Sequence, residues 1–92
     1  FDINAILHQI EPILNDNGLV LVQPISENSN GSSVVCSRIY HVESGLFLDS
    51  VMTLPNLQDP QKMGAAVTYF RRYTLQSLLA LQSEDDEESV PF

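Results

Sequence analysis

The chain of 92 residues has no tryptophan, one cysteine and only four basic residues against twelve acidic ones. A lone thiol, Cys36, forms no internal disulfide and no cysteine-based metal site. In a β-rich run it reads as a small apolar strand residue, compatible with a reducing compartment. No apolar run approaches the ~20 residues of a membrane span, and no leader pattern opens the sequence. HExxH, GxSxG, GxGxxG and Walker A patterns are all missing, and His8 and His41 fall in different elements. Asp49 has Asp59 and Glu43 as candidate carboxylate partners, but isolated carboxylates of this kind are surface charges more often than catalysts. These absences leave no residues to carry catalysis, a cofactor or a metal.

Positive charge is so scarce that its placement becomes informative. Residues 68–73 read TYFRRY, which sets half of the basic residues side by side between aromatics. Most of the acidity lies elsewhere. Glu84, Asp85, Asp86, Glu87 and Glu88 form one run, and without them the balance is four basic against seven acidic residues, a net of −3. Blocks of like charge are solvated tails, so residues 1–82 are expected to fold and 83–92 to form an acidic flexible tail or linker. A first residue of Phe1 rather than Met points to a piece of a longer chain. Local patches steer ligands more than a total charge does, so mild acidity leaves an anionic ligand possible.

Apolar residues at Ile3, Ile6, Leu7, Ile10, Ile13 and Leu14 share one helical face over residues 2–16. Asp2 is placed to cap that helix and Asn17-Gly18 to stop it, while Pro12 predicts a kink or a break. Leu19 to Val22 is a strand, with Pro24 marking an edge position or its end. Residues 26–33, SENSNGSS, read as a mobile loop. Val34–Val42 and Leu46–Leu54 flank Glu43-Ser44-Gly45 and make a hairpin, so the middle of the chain is a three-stranded antiparallel meander. Asp59-Pro60 opens a second helix running to about Leu81. The predicted fold is therefore α+β: an N-terminal helix, a meander and a long C-terminal helix packed on the sheet.

On the second helix Met63, Val67, Phe70, Thr74, Leu78 and Leu81 form one stripe, which is expected to lie on the sheet. Lys62, Ala65, Tyr69, Arg72, Tyr73 and Gln76 gather opposite, and Arg71 sits at the boundary near Gly64 and Thr68. Leu75 and Leu79 widen the apolar arc, which calls either for a neighbouring subunit or for a more enveloping core. Lys62, Tyr69, Arg71, Arg72 and Tyr73 are the candidate binding residues. Arginine offers a fork for phosphate and tyrosine a face for an unpaired base, the mixture that sequence-tolerant single-strand binding uses. The bland reading is an amphipathic helix with two solvated arginines and tyrosines packed at its edges.

The stretch DPQKMGAAVTYFRRYTLQSLLAL, residues 59–81, resembles the signature of the ERF (essential recombination function) family of phage and prophage annealing proteins. Gly64, Ala65, Ala66, Val67, Thr68, Tyr69, Arg71, Arg72, Tyr73, Leu75, Leu78 and Leu79 fit that pattern, with Phe70 at its variable site. Upstream, Asp2 to Ile6, Pro12-Ile13-Leu14, Gly18-Leu19 through Gln23 and the Ser44-Gly45 turn are similar too. The resemblance implies a β-β-β-α core like that of the eukaryotic annealing recombinases, assembled into rings or helical filaments. It implies annealing of single-stranded DNA without ATP in a bacterial host's cytoplasm, and a further basic and aromatic segment ahead of Phe1. Arg71, Arg72 and Lys62 would hold phosphate, Tyr69 or Tyr73 would stack, and Gly64 and Thr68 would permit close approach or packing. Residues 84–92, EDDEESVPF, are similar to the acidic tip of bacterial single-stranded-DNA-binding proteins, which implies docking on host replication or repair proteins. An acidic linker is the favoured alternative, and a shield over Arg71 and Arg72 is a third. The competing function is a non-catalytic, oligomeric protein–protein interaction module.

Overall fold

The computed structural model describes residues 2–81, which run α1 (Ile3–Asp16), β1 (Leu19–Val22), β2 (Ile25–Glu27), β3 (Ser33–His41), β4 (Phe47–Thr53) and α2 (Pro60–Leu78). The class is the expected α+β arrangement of helix, antiparallel sheet and helix. The Asp2 carboxylate caps α1 by accepting the Asn4 amide at 3.0 Å. Pro12 lies inside α1 without ending it, so the helix continues through the predicted break. Gly18, at φ +73°, turns the chain from α1 into β1, a conformation that favours glycine. α1 packs against β1 and buries Ile3.

The sheet has four strands where the sequence predicts three, and proline is the reason. β3 is central, with β4 on one side, and it pairs with both β1 and β2 on the other. The register runs from Leu19↔His41 to Val22↔Arg38 and resumes in step at Ile25↔Val35. β1 and β2 are thus two halves of one line, interrupted at Gln23-Pro24. Opposite the gap, the Cys36 amide still donates to the Pro24 carbonyl at 3.1 Å, but Pro24 has no N–H to return. The meander survives, and the predicted loop over 26–33 shrinks because Ser26, Glu27 and Ser33 belong to strands. Its turn is organised by the Asn28 side chain, whose Oδ1 accepts the Asn30 and Ser32 amides at 3.0 Å each.

Side chains alternate across β3. Val35 and Ser37 face α2 and are fully buried, while Cys36, Arg38 and Tyr40 face the other way. Asp59 caps α2 by accepting the Gln61 amide at 2.9 Å, with Pro60 in the first turn, as the sequence predicts. The helix ends earlier than expected, at Leu78. Ala80 takes φ +56° and the Leu81 amide turns back to the Gln76 carbonyl at 2.9 Å. Two assignments on α2 change. Gln76, placed on the outer side by periodicity, is buried, and Ala66 and Leu75 join Thr74 as its most buried residues. The wide apolar arc is therefore absorbed at Leu75 by an enveloping core within one chain.

Candidate nucleic-acid interface

The two adjacent arginines have different surroundings. Side chains three and four residues apart meet on a helix surface, so Tyr69, Arg72 and Tyr73 cluster. The tyrosine rings lie 4.5 Å apart between centroids and are tilted by 37°, and Phe70 meets Tyr69 edge-on at 5.2 Å. The Arg72 guanidinium sits over both tyrosines, 5.9 Å from the Tyr69 ring centre and 5.7 Å from that of Tyr73. All three side chains are half-buried. Lys62 is exposed two turns nearer the N-terminus on the same side, about 10 Å along the axis at 1.5 Å per residue. This is a cation–aromatic surface, and its planar guanidinium is suited to phosphate and to stacking.

Arg71 turns instead towards the sheet. Its Nε and Nη2 donate to Gln23 Oε1 at 3.1 and 2.9 Å. Gln23 Nε2 in turn donates to Ser37 Oγ at 2.8 Å and to the Arg71 carbonyl at 3.0 Å. Ser37 Oγ and Thr74 Oγ1 are 2.7 Å apart, and Thr74 Oγ1 donates to the Arg71 carbonyl at 3.2 Å. Each hydroxyl has one proton. With Thr74 committed to the carbonyl, Ser37 must donate to Thr74, which closes a directed ring from Gln23 through Ser37, Thr74 and Arg71 back to Gln23. Two fully buried hydroxyls are thereby satisfied, and α2 is keyed to β3 at one register. Sequence reasoning missed Gln23 as a partner of Arg71. The only signal for it was its position at the end of the β1 run.

Gly64 and Thr68 lie together on an exposed stripe, where Thr68 Oγ1 donates to the Gly64 carbonyl at 3.2 Å. Among the described residues, a Cβ at position 64 would meet nothing within 4 Å. The fourth basic residue, Arg38, was not singled out by the sequence, although its cross-strand register opposite Asp49 carries the signal. It binds Asp49 Oδ2 through Nε at 3.1 Å and Nη2 at 2.9 Å, so Asp49 pairs with Arg38 rather than with Glu43 or Asp59. Nη1 donates to the Tyr40 hydroxyl at 3.0 Å, and the guanidinium lies 4.3 Å over the Phe47 ring. These bonds, first that to Tyr40 and then those to Asp49, hold the Arg38 proton more tightly than usual. Burial pushes the neighbouring Cys36 thiol up, partly opposed by the Arg38 charge.

Among the described residues no group of three or more His, Cys, Asp and Glu gathers, and no helix is long and apolar enough to cross a membrane. The acidic residues 84–88 and the segment compared with an acidic tip lie outside the described residues. No curated protein and no solved structure matches the chain. One family model does match, that of the ERF superfamily, over residues 1–91. With almost every residue covered, including the cation–aromatic surface of α2, the chain belongs to the ERF superfamily.

Proposed function

We propose that this chain binds single-stranded DNA and anneals complementary strands in ATP-independent recombination, as a homo-oligomer of phage or prophage origin in the bacterial cytoplasm. The observation that carries the reading is Arg72 laid across Tyr69 and Tyr73 on α2, with Lys62 two turns from Tyr69. Annealing needs no bond made or broken by the protein. It needs the backbone held, the base edges left open and a second strand brought close. Lys62 and Arg72 neutralise phosphates while Tyr69 or Tyr73 supports one base face. Arg71 contributes mainly by holding α2 on the sheet, with the donors it does not spend on Gln23 left for phosphate.

The second reading is an oligomeric, non-catalytic interaction module that recruits partners through its acidic end. It draws on the Arg71–Gln23 network, which gives one arginine an internal role. Fluorescence anisotropy with a labelled single-stranded oligonucleotide separates the two, run with light scattering on each protein. Arg72→Ala is expected to weaken binding at least tenfold in a protein that still folds and assembles, with a small loss of melting temperature from its two ring contacts. Arg71→Ala is expected to lower stability by ~1–3 kcal/mol, because it strips Gln23 Oε1 of both donors. Wild type that binds no single strand, or an Arg72→Ala protein that binds normally, would favour the interaction module.

A further inference from the structure

Arg38 and Arg71 are each held by a side chain of the sheet, but by different chemistry. Arg38 gives Nε and Nη2 to the Asp49 carboxylate, an ion pair that cancels its charge. Arg71 gives the same two nitrogens to Gln23 Oε1, the oxygen of a neutral amide. Its positive charge is left whole, in a chain with twelve acidic residues. The orientation of that amide is dictated from below. The Ser37 proton goes to Thr74 and the Thr74 proton to the Arg71 carbonyl. Ser37 Oγ and that carbonyl can then only accept from Gln23. Nε2 faces them at 2.8 and 3.0 Å, so Oε1 must face the guanidinium. Two buried hydroxyls thus fix where the acceptor for Arg71 stands.

We infer that Gln23 is a positioning residue: by holding the Nε–Nη2 edge of Arg71, it aims the Nη1–Nη2 edge at a phosphate of the single strand. A guanidinium has five N–H donors, and Gln23 takes two of them. The three that remain include the parallel pair on the end edge, the fork that meets two phosphate oxygens at once. Among the described residues Nη1 has no hydrogen-bond partner, and Arg71 is half-buried rather than enclosed. A guanidinium fixed in advance loses less freedom on binding than one on a freely turning side chain. The neutrality of the holder matters as much as its bonds. A carboxylate at position 23 would grip the same edge and cancel the charge, as Asp49 does for Arg38. This inference rests on the single-strand binding proposed above and adds the orientation of one contact to it. Arg71 becomes a third phosphate contact beside Lys62 and Arg72, which takes the expected log–log salt slope to roughly −2.1 per copy.

A salt series of anisotropy with a labelled single strand tests this, with circular dichroism and light scattering on each protein so that only folded, assembled variants are compared. Gln23→Met keeps the side chain's length and removes the acceptor. It is expected to bind roughly fivefold more weakly at an unchanged salt slope, because the charge remains but is no longer aimed. In an Arg71→Ala background the same change is expected to add nothing, since Gln23 acts through that guanidinium. Gln23→Glu keeps an acceptor for Arg71 and is expected to flatten the slope by ~0.7 per copy, as Arg71→Ala does. Arg71→Lys, a charge without a fork, reaches the same question without touching Gln23, and is expected to match Gln23→Met. A Gln23→Met or Arg71→Lys protein that binds like wild type overturns the inference, and so does an Arg71→Ala slope equal to the wild-type one. In those cases wild type still binds, and the function proposed above stands. Wild type that binds no single strand removes both.

Discussion

Gly64 is the residue at which chain stability and function are expected to part company. A glycine inside a helix costs ~0.5–1 kcal/mol relative to alanine, and among the described residues nothing lies close enough to require one there. Gly64→Ala should therefore raise the melting temperature of the isolated chain. If a strand or a second copy comes close at this stripe, the same change lowers DNA binding or assembly, which anisotropy and light scattering read separately. Cys36 gives a prediction of a different kind. Burial holds its thiol protonated in the fold, whereas the unfolded thiol ionises from about pH 8.5. The folded form binds the proton more tightly, so this contribution is complete below that pH and is lost as the pH rises. Wild type should lose more stability than Cys36→Ala between pH 7 and 10, as chemical denaturation at both pH values would show.

At the scale of elements, the ring through Gln23, Ser37, Thr74 and Arg71 joins strand to helix. Thr74→Val keeps the volume but leaves the buried Ser37 proton without an acceptor, which should cost ~1–3 kcal/mol. Adding Ser37→Ala removes the orphaned group, while Gln23 Nε2 keeps the Arg71 carbonyl as an acceptor. The double variant should therefore lose less than the sum of the single losses, and urea denaturation of all four combinations measures the difference. The helix caps are more local. Asp59→Ala removes the acceptor of the Gln61 amide and should cost ~0.5–2 kcal/mol, read from the same denaturation curves. Pro24 belongs to this scale too, since it divides one line of pairing into β1 and β2 without shifting the register.

For the whole molecule the governing fact is the shortage of cations. Of four basic residues, Arg38 is spent on Asp49 on the far face of the sheet and Arg71 is bound to Gln23. Under the proposed function each copy would then neutralise few phosphates, about two if Lys62 and Arg72 act alone. Single-strand binding loses ~0.7 of log–log salt slope per phosphate, which gives roughly −1.4 for one copy. Arg72→Ala should flatten that slope by ~0.7 per copy, whereas Asp59→Ala should leave it unchanged. The proposed function would therefore draw its affinity from many copies on one strand, because linked sites raise the overall affinity without a new contact.

Local chemistry was enough to mark both helices, since Asp2 and Asp59 cap by their own side chains and Asn17-Gly18 stops α1 within four residues. The hairpin was legible for the same reason, and TYFRRY identified Tyr69, Arg72 and Tyr73 as neighbours because helical spacing alone brings them together. Distant pairings were not legible. Nothing within a few residues of Arg71 announces Gln23, which lies 48 positions away in the chain, and nothing near Asp49 names Arg38 until β3 and β4 settle into register. Periodicity also misplaced Gln76, because it can say which residues share a side of a helix but not how far the core wraps round it. Residues three or four apart meet wherever a helix forms. Residues on separate elements meet only where packing brings them, so the helix alone set Arg72 against the tyrosines, and only the tertiary structure decided that Arg71 keys α2 to the sheet.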